Sequence, residues 1–219
     1  MWHLPQRLAQ ALSEFVFHPS SYIHPDHQAV LYPPAWSLSS SAMTSRALLQ
    51  TLKLDVEPAV DLHRPLHRLA LLSSSTLEAL ARWLGIAQQS DHLRRVVHRS
   101  DLDLLNEVVS PAAWDWIYAQ PSAAPRPEMT RSPAASKIRE DVMTQGWKLL
   151  GLASQTLPDG VAQRLQLKLP RLNATDLPLS PEAAAVRLEK IYGTTMEFCD
   201  PTWEADWQST FAKDPDRWI

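Results

Sequence analysis

The chain has 219 residues, 45% hydrophobic and 21% charged, enough for one globular domain or two small lobes sharing a core. Its formal charge of -3 lacks the basic excess that marks proteins binding nucleic acid or anionic membranes, so neither is expected as a partner. Cys199 is the sole cysteine, which excludes an intrachain disulfide, and no apolar run approaches the roughly 18 to 20 residues that span a bilayer.

The first residues, Met1 to Arg7, show no basic stretch followed by an apolar core, so a cytosolic location is expected, with any membrane contact made through another protein. Leu4, Leu8, Leu12 and Phe15 then fall on one helical stripe. From Val16 to Ser41 the pairs His18-Pro19, His24-Pro25 and Pro33-Pro34 predict an ordered loop with extended pieces, because the residue before a proline avoids the helical region. Met43 to Leu54 can form a helix, and Pro58 and Pro65 interrupt the path to the next apolar run, Leu66 to Leu72.

Ser75-Thr76-Leu77-Glu78 matches a capping box, Leu77, Leu80, Ala81 and Leu84 form a buried stripe, and Gly85 reads as the stop. Three short helices are expected next, opened by Ser90, Ser100 and Ser110. The Pro-rich stretch 121–133 reads as a connection that divides an N-terminal helical part, 1–120, from a C-terminal one, 134–219, packed on the first as one globular unit. Ser136 to Ala153 returns to helical spacing, and Leu165, Leu167 and Leu169 alternate as a short strand or extended edge would. Ser180-Pro181-Glu182 opens a last helix that should stop at Gly193. The fold class expected is mainly α: a compact array of short amphipathic helices with a few short extended segments.

Motifs for catalysis, metals and cofactors fail on their chemistry. Gly146 and Gly151 have a phosphate-loop spacing, yet Leu152 and Ala153 stand where a lysine and a hydroxyl must hold phosphate and magnesium. His18, His24 and His27 lie among prolines and read as rings that satisfy loop backbone groups, while Pro65 breaks the helical spacing of His63 and His67. Asp101 and Asp103 suit a helix N-terminus better than an acid-base pair. Cys199-Asp200-Pro201 has no base beside it in sequence. No catalytic, metal-binding or cofactor-binding residue is therefore expected.

Two groups remain as candidates for partner binding. Arg94, Arg95 and Arg99 form either a solvated face or a patch for an acidic partner. Trp203, Trp207 and Phe211 recur at helical spacing in an acidic C-terminal run, which fits both a helix docked on the core and a detachable docking segment.

Three segments, taken in order, carry a family resemblance: Phe15-Val16-Phe17-His18-Pro19-Ser20-Ser21-Tyr22-Ile23-His24, then Leu77 to Ile86 with Leu93-Arg94-Arg95-Val96-Val97, then Arg164-Leu165-Gln166-Leu167-Lys168-Leu169-Pro170. Together they resemble the SctK/YscK family of type III secretion proteins. The resemblance implies a non-catalytic cytosolic adaptor of the sorting platform, joining the cytoplasmic domain of the inner-membrane ring protein to the pod protein. A secretion chaperone or regulatory binding protein of the same system is the alternative. The tail beyond Gly193 carries none of the resemblance.

Overall fold

The computed structural model describes residues 6–31, 42–55, 57–120, 134–172, 177–200, 202, 203 and 205. Among them the chain forms ten α-helices: α1 (Gln6–Phe17), α2 (Pro25–Leu31), α3 (Ala42–Thr51), α4 (Pro65–Leu69), α5 (Ser74–Leu93), α6 (Arg99–Leu105), α7 (Pro111–Ala119), α8 (Ala135–Ser154), α9 (Asp159–Lys168) and α10 (Pro181–Cys199). A 3-10 turn covers Pro19–Ser21, and no strand occurs among the described residues. The fold is mainly α, as the apolar periodicity predicts.

Several boundaries differ from the sequence reading, each for a physical reason. The prolines after His18 and His24 sit at the first helical position, where a missing N–H is harmless, so they start short helical turns rather than extended pieces. The cap of α5 is Ser73, whose side chain accepts from the Thr76 N–H at 3.1 Å, and not the predicted Ser75. Ser110 and Ser180 cap α7 and α10 as expected, each followed by proline.

Gly85 and Gly193 do not stop their helices. α5 runs through Gly85 to Leu93 and absorbs the short helix expected after Ser90, while α10 runs through Gly193 to Cys199. The segment with Leu165, Leu167 and Leu169 is not a strand: α9 lies between two cores, with Leu165 in one and Leu167 in the other, so burial on both sides produces the alternation.

Three apolar clusters hold the helices. The largest gathers Leu8 and Phe15 of α1, Leu69 to Leu72, Leu77 and Leu84 of α5, Leu149 and Leu150 of α8, Leu165 of α9, and Leu188 and Tyr192 of α10. A second joins Ile86 and Leu93 to Leu105, Ile117, Ile138 and Val142. The third packs Tyr22, Ile23, Leu48 and Leu54 on Leu167. Helices on both sides of 121–133 share the first two clusters, and 121–133 itself lies outside the described residues.

Candidate partner-binding site

The first and last segments of the family resemblance form one unit, organised by two buried cations of α9. Arg164 donates through Nε to Phe15 O at 3.1 Å and through Nη2 to Val16 O at 3.3 Å, and it also bonds Gly160 O and Asp55 O. One turn later, Lys168 donates from Nζ to Ala70 O at 2.6 Å and Leu72 O at 2.9 Å, 4.7 Å from the centre of the Tyr22 ring. The Tyr22 hydroxyl donates to Phe15 O at 2.9 Å, and the His24 N–H closes the unit on Leu167 O at 2.7 Å.

Burial sets the electrostatics of this unit. It pushes the Lys168 amine down to about 7 against the pull of Glu14, and it lowers Arg164 below the usual guanidinium range. It also raises the Tyr22 hydroxyl, against nearby Arg164. Arg164 and Lys168 are the residues that sequence reasoning passed over. Their spacing of four among leucines is the available signal, and a strand assignment hides it.

The three candidate arginines separate in the fold. Arg94 donates to Ile117 O through Nε at 2.9 Å and to Gln120 O through Nη2 at 2.6 Å, fastening the turn after α5 to the end of α7. Arg95 and Arg99 are exposed, and Val97 between them is 78% exposed. Tyr118, next to the carbonyl that Arg94 holds, is 61% exposed and stacks on Trp114 with ring centres 6.0 Å apart. The turn and the end of α7 thus present cationic and apolar groups together.

Of the aromatic tail, Trp203 is described, while Trp207 and Phe211 lie outside the described residues. Trp203 is 5% exposed and joins the largest core cluster. The Arg7 guanidinium lies 5.5 Å from the centre of its ring, donates to Asp200 Oδ2 at 2.8 Å and to Thr202 Oγ1 at 2.6 Å. Burial would raise the Asp200 carboxyl, but hydrogen bonds from Thr202, the Trp203 N–H and Arg7 prevail and hold it below the usual range. A cleft of about 650 Å³ opens beside this corner, lined by Arg7, Glu14, Ser73, Lys168 and Trp203.

Three of the histidines hold backbone groups near loops. His24 Nδ1 accepts from the Asp26 N–H at 3.2 Å, His67 Nδ1 accepts from the Asp61 N–H at 2.9 Å, and His27 Nε2 meets Leu169 O at 3.0 Å. Among the described residues no group of three His, Cys, Asp or Glu side chains could hold a metal ion. Burial pushes the Cys199 thiol up to about 12, with Asp200 adding to the shift, which leaves it a poor nucleophile. No helix of the described residues is long and apolar enough to cross a membrane.

The family model described as YOP proteins translocation protein K (YscK) matches residues 11–192. That span contains both halves of the Phe15–Lys168 unit and the Arg94 turn. Neither a curated protein nor a solved structure gives a significant match. With most of its length matched, the chain belongs to the YscK family of type III secretion proteins.

Proposed function

We propose that the protein is a non-catalytic cytosolic adaptor of the sorting platform, joining the cytoplasmic domain of the inner-membrane ring protein to the pod protein. The observation that carries this reading is family membership across residues 11–192. The site chemistry supports it: among the described groups with clear shifts, Arg164 and Lys168 are engaged by backbone carbonyls, Lys137 and Asp200 sit in ion pairs, Glu182 in a helix cap, and the Cys199 thiol is raised by burial. Exposed Arg95 and Arg99, with Val97 and Tyr118, are assigned as one partner surface for an acidic face, and Arg94 holds the turn that presents them. Trp203 is buried beside Arg7 of α1, and Trp207 and Phe211, which lie outside the described residues, are offered as candidates for a second partner contact.

The test is recovery of the affinity-tagged chain from secreting cells. An adaptor brings both the ring protein and the pod protein. A secretion chaperone brings an exported substrate instead, and recovery of neither class removes the adaptor reading.

A further inference from the structure

The segment from Glu57 to Arg64 carries neither helix nor strand, and side chains from two helices hold its backbone. Arg164 of α9 donates to Asp55 O just before it, and Arg68 of α4 donates to Leu62 O at 3.0 Å and His63 O at 3.1 Å near its end. Between these anchors stands His67 of α4. Its Nδ1 accepts from the Asp61 N–H at 2.9 Å, and the backbone of Ala59 is its other hydrogen-bonding neighbour. The guanidinium groups stay charged through the acid and neutral range, whereas an imidazole does not.

A ring nitrogen accepts a hydrogen bond only through an unprotonated lone pair, so the His67 ring is neutral in the folded protein, with its one proton on Nε2. Protonating Nδ1 sets two N–H donors against each other at 2.9 Å and places a cation in a residue that is 4% exposed. Burial holds the ring's pKa below the ordinary 6.5; Asp61 pulls it up, Arg64 pushes it down, and the Ala59 backbone pulls it up. The Asp61 carboxylate is already engaged, accepting from the His63 N–H at 3.0 Å and lying 3.5 Å from Arg64. Among the described side chains, α10, which packs on α4, adds no charge that acts on the ring.

We infer that His67 is an acid-sensitive latch: protonating its ring frees the backbone from Ala59 to Asp61, while Arg164 and Arg68 keep the two ends in place. The freed backbone lies in one wall of a groove of about 450 Å³, formed by Pro58, Val60 and Leu62 and faced by Leu12, Val16 and Phe17 of α1. Acid therefore reshapes an apolar surface without unfolding the helices. Once the segment opens, the ring regains its ordinary value, so opening becomes easier as pH falls below 6.5 and levels off below the folded value. The latch does not depend on the adaptor reading.

The test is hydrogen exchange of the full chain at about pH 7.5 and about pH 5, read by mass spectrometry on peptides covering 57–66 and corrected for the intrinsic rate at each pH. Protection of this segment should fall by up to about thirtyfold between the two, since pH 5 lies about 1.5 units below the ordinary histidine value, while α5 and α8 stay protected. In His67→Asn, whose amide oxygen can accept from the Asp61 N–H at either pH, the fall should be less than about twofold. NMR titration of the parent serves should that variant fail to fold: the His67 ring and the Asp61 amide should share one midpoint below 6.5. Equal protection of the parent at both pH values, an equal fall in parent and variant, or a fall that extends to α5 and α8 overturns the inference. So does a ring that titrates at or above 6.5, or an Asp61 amide that does not follow it.

Discussion

Gly85 of α5 and Gly146 of α8 form a reciprocal backbone contact. A methyl group on Gly85 would fall 1.7 Å from Val142 O, and one on Gly146 would fall 1.7 Å from Ala81 O. Each glycine thus lies against the backbone of the other helix, and this crossing joins the first core cluster to the second.

Gly85→Ala and Gly146→Ala should each destabilise the protein by about 3 kcal/mol, because the obstacle is a helical carbonyl that cannot rotate away. Gly151→Ala should be neutral or stabilising by up to about 1 kcal/mol. Urea denaturation of the three variants beside the parent separates these outcomes; equal midpoints for all four would mean that α5 and α8 do not cross here.

Lys168 makes stability depend on pH in a defined direction. Its amine titrates near 7 in the fold and near the ordinary 10.5 when unfolded, so between these values the unfolded chain binds more protons. The penalty of burying the cation is complete below pH 7 and is relieved as pH rises from 7 toward 10.5. Stability should therefore climb from pH 7 to 9 by up to about 1 kcal/mol per unit, and Lys168→Met should remove that slope. A parent and a variant with parallel profiles would show that the amine stays charged between its two carbonyls and the Tyr22 ring.

The Trp203 corner should contribute to the stability of the isolated protein. Removing this buried indole in Trp203→Ala should cost about 3 to 5 kcal/mol. Asp200, whose carboxyl is held below its ordinary value, adds stability that is present at neutral pH and lost as pH falls through the depressed value. Asp200→Asn should therefore flatten the acid limb of the stability profile. Thermal melts of Trp203→Ala that match the parent would place the indole outside the core.

Reversing Arg95 and Arg99 together should weaken one partner contact by about tenfold or more while leaving the melting temperature within a degree or two, because exposed charges contribute only about 0 to 1 kcal/mol each. Arg94→Ala should instead lower stability, since it strips donors from Ile117 O and Gln120 O. Unchanged affinities in the Arg95 and Arg99 double variant would leave that surface as solvated charge.

The helices α1, α5, α8 and α10 are legible in the sequence because their apolar residues recur at helical spacing over three turns or more, and Ser110 and Ser180 are legible as caps because a proline follows each. Gly85 is not legible: a glycine that ends a helix and a glycine that lets another helix touch are the same letter, and only Val142 on the facing helix distinguishes them. Leu165 to Leu169 misleads for a related reason, since a helix buried on two sides loses its single stripe. The arginine cluster is visible as a cluster, but which guanidinium is spent on carbonyls depends on where α7 ends relative to the turn.

The proposed adaptor must hold the ring and pod proteins at the same time through separate surfaces. Sedimentation of this protein with the ring protein's cytoplasmic domain and the pod protein, singly, in pairs and all together, measures that directly. An adaptor should give a single complex containing all three, no association of ring domain with pod protein when this chain is left out, and loss of one partner but not the other in the Arg95→Glu, Arg99→Glu variant. Competition between the two partners for this chain, or a ring-pod complex that forms without it, would rule out a bridging role.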